Sequence, residues 1–137
     1  MSTLNNFHVL LLDDDIDDRL IFQEALSQVA PQAQLTSLCE SRDLMPALEG
    51  QLPDLILVDA DLGPDSSVEC VQQLKAHPRY RHIPVLLWCR SWVGPQVAEA
   101  YTAGIELHFE KPWSISFLEK VLEEILARFI PSGQQRA

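Results

Sequence analysis

Residues 52–65, LPDLILVDADLGPD, decide the fold. A Pro-Asp turn opens the stretch and an apolar run fills residues 55–58. The run ends on Asp59, with Asp61 two residues on. A short apolar run between turn signals reads as a strand buried on both faces of a parallel sheet. Asp is a poor core residue. Open α/β sheets bind ligands at the carboxyl ends of their strands. Asp59 is therefore either a functional carboxylate at a strand tip or a cap or turn residue, a role Asp also favours.

Upstream, residues 7–12, FHVLLL, are a second buried run that ends in Asp13, Asp14 and Asp15. From Ile16 the period changes. Ile16, Leu20, Ala25 and Val29, supported by Ile21, Phe22 and Leu26, predict one face of a helix that Pro31 stops. Residues 33–38 alternate weakly and predict a strand near the sheet edge. Residues 41–50 predict a short helix capped by Ser41, with Leu44 and Leu48 inward and Gly50 at its end; Pro46 makes it irregular or late to start.

Downstream, residues 66–76 predict a helix with Val68, Val71 and Leu74 inward, ended by His77-Pro78. Residues 83–89, IPVLLWC, are the next buried strand, and 95–103 a short helix closed by Gly104. Residues 105–110 alternate, with Ile105, Leu107 and Phe109 against Glu106, His108 and Glu110, which suits an edge strand. A last helix starts near Ser114 and steps through Ile115, Leu118, Leu122, Ile125 and Phe129. Five strands alternating with five helices predict an α/β, doubly wound parallel sheet with right-handed crossovers.

At 137 residues the chain suits a single domain over 1–137, with a core over about 6–130 and a polar tail at 131–137. Hydrophobic residues make up 47% and charged residues 22%, the balance of a globular protein. The net charge of -10 argues against a nucleic-acid surface, which needs a basic face. The start MSTLNNF has no signal-peptide pattern, and no apolar run is long enough to span a membrane, so a cytoplasmic location is expected. Cys39, Cys70 and Cys89 lack metal-ligand spacing and read as reduced thiols. His8, His77 and His82 lack it too and read as structural or surface residues.

In a parallel sheet the strand tips emerge on one edge. Asp13 and Asp14, Asp59 and Lys111 end the first, third and fifth predicted strands. Carboxylates that crowd one pocket need a compensating cation. Hard oxygen ligands favour Mg²⁺, and Lys111 opposite them would neutralise a phosphoryl oxygen. An Asp so placed can act as a nucleophile on phosphorus, where catalysis is mostly positioning and charge stabilisation.

LLLDDD at 10–15, PDLILVD at 53–59, IPVLL at 83–87 and the AG…EKP stretch at 103–112 are modest signals singly. Together, in this order and spacing, they are specific. Over nearly its full length the chain resembles the receiver domain of bacterial two-component response regulators. The resemblance implies a flavodoxin-like sheet of order 2-1-3-4-5. It implies phosphotransfer onto Asp59 from a histidine kinase or phosphotransfer protein. Asp13 and Asp14 match the acidic pair that would hold Mg²⁺, one of them through water. Asp61 matches the residue whose backbone carbonyl completes the metal site. Lys111 matches the phosphate-contacting lysine, and its bond to Pro112 would be the family's cis peptide. Asp15 reads as a helix cap.

The chain departs from the pattern in four places. Cys89 stands where the family has Thr or Ser, and a thiol is a weak donor. Arg90 follows, where a small residue is usual; it either replaces part of the lost contact, partly closes the pocket, or is a solvated loop residue. His108 stands where an aromatic usually swings inward, and it is smaller and titratable. After Asp59, residues 63–67 read GPDSS in place of Pro-Gly-x-Asp-Gly, with a loop glycine lost. Trp88, Trp92 and Trp113 are either packing residues or a docking patch on the face of the fourth helix, fifth strand and fifth helix.

The leading expectation is a single-domain response regulator whose output is contact with a downstream protein or with a second copy of itself. One alternative is a degenerate receiver that binds a partner without a phosphorylation switch. A different class is a haloacid dehalogenase-like phosphatase, suggested by Asp59-Ala60-Asp61, although in that family the motif lies near the N-terminus. A flavin binder of the same fold is disfavoured, because Asp13 to Asp15 would repel a phosphate where such proteins cradle one.

Overall fold

A computed structural model describes residues 6–63, 65–90 and 94–130. Five strands, β1 (His8–Leu12), β2 (Gln34–Leu38), β3 (Leu55–Asp59), β4 (Val85–Cys89) and β5 (Leu107–Glu110), form one parallel sheet of order β2-β1-β3-β4-β5. The helices between them are α1 (Ile16–Val29), α2 (Leu44–Gly50), α3 (Ser67–Ala76), α4 (Gly94–Ala103) and α5 (Ile115–Phe129). Fold class and strand order agree with the expectation. No helix among the described residues is long and apolar enough to cross a membrane.

Alternation along each strand divides the core in two. Leu10, Leu12, Ile56, Val58, Val85 and Leu87 pack beneath α2, α3 and α4. Val9, Leu11, Leu55, Leu57, Leu86 and Trp88 pack beneath α1 and α5, with Phe22 edge-on to the Trp88 indole at 5.6 Å. Trp88 is thus a packing residue. Trp113 is 96% exposed, and Trp92 lies outside the described residues. Two helices open on serine caps: Ser66 Oγ accepts from the Glu69 N–H, and Ser114 Oγ from the Phe117 N–H.

Several expected local details are corrected. Ile16 and Leu20 are 60% and 56% exposed; the inner face of α1 runs through Phe22, Ala25 and Leu26, with Val29 at its margin. The first turns of α1 stand at the carboxyl edge of the sheet, where Asp18 faces the Lys111 ammonium. There the inward position belongs to Asp18, whose spacing to Phe22, Ala25 and Val29 is helical. Ile115 at the start of α5 is likewise exposed.

Ser41 does not cap α2. Its hydroxyl donates to Asp65 Oδ2 at 2.7 Å, and Ser41–Asp43 form a separate 3-10 turn. α2 starts at Leu44, which leaves Pro46 in the first turn, where no backbone donor is needed. The described residues contain no cis peptide bond, so the Lys111–Pro112 bond is trans. Trans is the lower-energy form of such a bond by about 0.5–1 kcal/mol.

Candidate functional site

Strand register assembles the site. Leu12 pairs with Val58, so Asp13 follows beside Asp59; Asp59 pairs with Trp88; Cys89 pairs with Glu110, one residue before Lys111. Carboxylate oxygens of Asp13, Asp14 and Asp59 lie within 4.8 Å of one another. Asp13 and Asp59 are buried and Asp14 is exposed. Backbone N–H groups orient the two buried acids: that of Asp15 donates to Asp13 Oδ1 at 2.8 Å, and that of Asp61 to Asp59 Oδ1 at 2.9 Å. Arg19 donates to the Asp13 carbonyl at 2.8 Å and ties α1 to the tip of β1.

The Lys111 ammonium enters this group with its side chain only 8% exposed. Nζ lies 2.7 Å from Asp18 Oδ2, 3.0 Å from Asp13 Oδ2 and 3.3 Å from Asp59 Oδ2. It also sits 4.9 Å from the centre of the Trp88 ring, a cation–π contact from below. Burial works against its charge. The Asp18 hydrogen bond and the charges of Asp59 and Asp13 more than offset that and hold its pKa above the ordinary value. Asp59 moves the other way. Burial, joined by the nearby Asp13 charge, raises its carboxyl to about 7 against the opposing pull of the Asp61 N–H and Lys111. A buried carboxyl this reluctant to ionise beside other carboxylates marks where a further cation would bind. The donor set, hard carboxylate oxygens only, fits Mg²⁺.

The remaining predicted residues frame the pocket. Asp61 is exposed and meets Asp59 through its backbone. Asp15 caps α1 as expected, accepting from the N–H groups of Asp17 and Asp18. Cys89 is buried, and its thiol donates to the Phe109 carbonyl at 3.8 Å, a long sulfur contact. Burial first, then the Asp61 and Glu110 charges, push that thiol above its ordinary pKa, so it stays a neutral donor at pH 7. Arg90 is not a free loop residue: Nη2 lies 3.0 Å from both Asp15 Oδ2 and Asp18 Oδ2. His108 Nδ1 shares a hydrogen bond of 2.6 Å with the Tyr101 hydroxyl, which also accepts from the His108 N–H. Burial lowers the His108 pKa, which favours the neutral ring.

Gly63 adopts φ 67° beside Asp14, and a Cβ there would stand 3.2 Å from Asp14 Oδ2. The exposed Asp14 side chain can yield, so the backbone conformation sets the cost. Gly63→Ala is expected to lose about 1–2 kcal/mol of stability, measured by urea denaturation. An unchanged midpoint would refute the backbone account.

Two contributors escaped the sequence reading. The apolar Ile16 and Leu20 mask Asp18 in the helical pattern of α1, and its spacing to Phe22 is the signal that places it inward. Tyr101 gave none, since its partner depends on where α4 docks.

A family model for the response regulator receiver domain matches residues 9–123. The chain is a response regulator receiver domain. It is similar to the chemotaxis protein CheY of Pseudomonas aeruginosa, with 24% identity over 123 residues covering 88% of this chain and 96% of that protein. Among solved structures, the phosphorylated cyanobacterial phytochrome response regulator RcpA superposes with a TM-score of 0.83 at 21% identity, covering 93% of this chain and 96% of that one. The Mn²⁺-bound form of response regulator Rcp1 superposes at 0.78 with 23% identity, covering 91% and 95%. The family match and the strand order of this receiver domain replace the phosphatase alternative. Within the family pattern its unusual residues each have a structural occupation: Cys89 holds the β5 backbone, His108 is held by α4, and Arg90 binds α1.

Proposed function

We propose that this receiver domain accepts one phosphoryl group on Asp59 from a histidine kinase or phosphotransfer protein, with output through protein contact. The observation that carries the reading is the Lys111 ammonium 3.3 Å from Asp59, at a strand edge where Asp13, Asp14 and Asp59 crowd together. Asp13 and Asp14, with Asp59 and the Asp61 carbonyl, would hold Mg²⁺, which when bound supplies positive charge to the phosphoryl oxygens. An Asp59 oxygen attacks phosphorus and forms a P–O bond. The P–N bond to the donor imidazole breaks and its electron pair stays on nitrogen. Lys111 neutralises a phosphoryl oxygen as the group arrives. That one neighbour was solved phosphorylated and another with Mn²⁺ supports both properties.

Output would use the face of α4, β5 and α5. In its β5–α5 part Leu107, Phe109, Val121 and Ile125 line a groove of about 400 Å³ with Arg128 and Glu124 among its walls, suited to a downstream protein or a second copy. The groove supports an interaction role, and the net charge of -10 argues against nucleic acid as the partner. The chain's composition fits a cytoplasmic setting.

The test is incubation with acetyl phosphate, with and without Mg²⁺, followed by intact mass. A single phosphoryl adduct that disappears in Asp59→Asn and without Mg²⁺ is expected. Absence of both an adduct and detectable Mg²⁺ binding would overturn the reading. A second reading, a receiver that binds its partner without a switch, draws on Cys89 and His108, whose polar atoms already have partners at 3.8 Å and 2.6 Å. Phosphorylation that leaves partner affinity and assembly unchanged would favour it.

A further inference from the structure

One carboxylate oxygen, Asp18 Oδ2, holds two cations from two different strand ends: Lys111 Nζ at 2.7 Å and Arg90 Nη2 at 3.0 Å. The same Arg90 nitrogen also reaches Asp15 Oδ2 at 3.0 Å. Arg90, Asp18 and Lys111 thus form a chain of charges that ends at Asp59. We propose that Asp18 is a positioning residue that stands in for the phosphoryl group in the unmodified protein, and that modification of Asp59 draws Lys111 and Arg90 off it. This rests on the phosphoacceptor reading of Asp59.

The chemistry favours an exchange. A phosphoryl group offers three strong acceptor oxygens and nearly two negative charges at pH 7, against one charge on Asp18. Lys111 already lies 3.3 Å from Asp59 and need move little to meet it. Arg90 is three contacts from Asp59, by way of Asp18 and Lys111, and its side chain is 60% exposed, so solvent already competes for its ion pairs. A guanidinium there supplies the donor that Cys89, turned to the Phe109 carbonyl, does not offer. Asp18, left without its cations, then repels the phosphoryl group across the pocket and sets how tightly it is held. The movement also unties the end of β4 from α1. It gives this domain a route for a signal that does not need His108, which Tyr101 holds on the far side of the sheet.

The test is the affinity of the Mg²⁺-loaded protein for beryllofluoride, a non-covalent phosphoryl mimic, measured by titration calorimetry. Asp18→Asn keeps the shape and removes the charge, and is expected to bind the mimic about tenfold more tightly, which corresponds to about 1.4 kcal/mol. Asp18→Glu is expected to return the affinity to near wild type, which a purely structural role would not produce. In an Arg90→Gln background the gain from Asp18→Asn is expected to shrink several-fold, because the two residues then no longer share the cation. Asp18→Ala serves as a second neutral variant if the asparagine protein folds poorly. Wild-type binding with unchanged or weaker affinity in both neutral variants would overturn the inference alone. A wild-type protein that neither binds beryllofluoride nor forms the acetyl phosphate adduct would overturn the phosphoacceptor reading beneath it.

Discussion

Lys111→Met is expected to lower the rate of Asp59 phosphorylation by about 100- to 1,000-fold, the usual cost of losing one preorganised charge donor at a reacting centre. The ammonium is the cation nearest Asp59 among the described residues, 3.3 Å from its Oδ2, and it is buried where water cannot replace it. Methionine keeps most of the apolar stem and removes the ammonium, with its contacts to Asp18, Asp13 and the Trp88 ring. The same change leaves Asp13 and Asp59 buried without their cation. Breaking a buried ion pair on one side costs about 3–5 kcal/mol, and Asp59 would relieve part of that by taking up a proton. Mg²⁺ binding should survive or tighten, since the carboxylates keep their positions and lose a competing cation. Initial rates from intact mass and urea denaturation with and without Mg²⁺ read both effects. Phosphorylation at the wild-type rate would show that Lys111 does not serve the reaction.

Without metal, the protein is expected to lose stability as pH rises from about 4 to about 7. Burial raises the Asp59 carboxyl from its ordinary 3.8 to about 7. Between those values the folded protein keeps a proton that the unfolded chain has already released. Each further rise in pH therefore favours unfolding, and the loss is complete above the folded value. At 1.36 kcal/mol for each pH unit, the ceiling is about 4 kcal/mol. Lys111 adds no slope here: its pKa is raised above an ordinary 10.5, so its contribution is fully present at every pH below that. Asp59→Asn should remove this fall, leave only the rise toward pH 6.5 that the lowered His108 pKa contributes, and be more stable than the wild type at pH 8. Mg²⁺ should offset the wild-type loss, because bound cation stabilises the ionised carboxylate. Denaturation midpoints in EDTA between pH 4 and 8 measure this. A profile that rises across that window, or one unchanged by Asp59→Asn, would refute it.

Both predictions rest on residues already visible in the chain. The apolar runs at 7–12, 55–58 and 83–89 required strands buried on both faces, and the helical stretches between them required parallel connections. Parallel strands point their tips the same way, so Asp13, Asp14, Asp59 and Lys111 had to meet at one edge. The helix phases were less legible. An amphipathic pattern tells which residues can face inward, but Ile16 and Leu20 lie in the turns where α1 meets the sheet edge and stay exposed. The Ser41 cap failed for a related reason: a nearby carboxylate, Asp65, took its hydroxyl.

The chain by itself therefore determined the order of elements, the buried sheet and the acidic edge with its lysine. These follow from period, run length and the geometry of parallel strands, which are local properties repeated along the chain. Only the tertiary structure decided who partners whom at that edge. Asp18 meets Lys111 across 93 positions and Arg90 across 72, and Tyr101 meets His108 from a different element. Long Lys and Arg side chains choose among several acids according to distances of an ångström or less. Those distances exist only once α1 has docked against the sheet and raised Asp18, in place of Ile16 or Leu20, over the pocket.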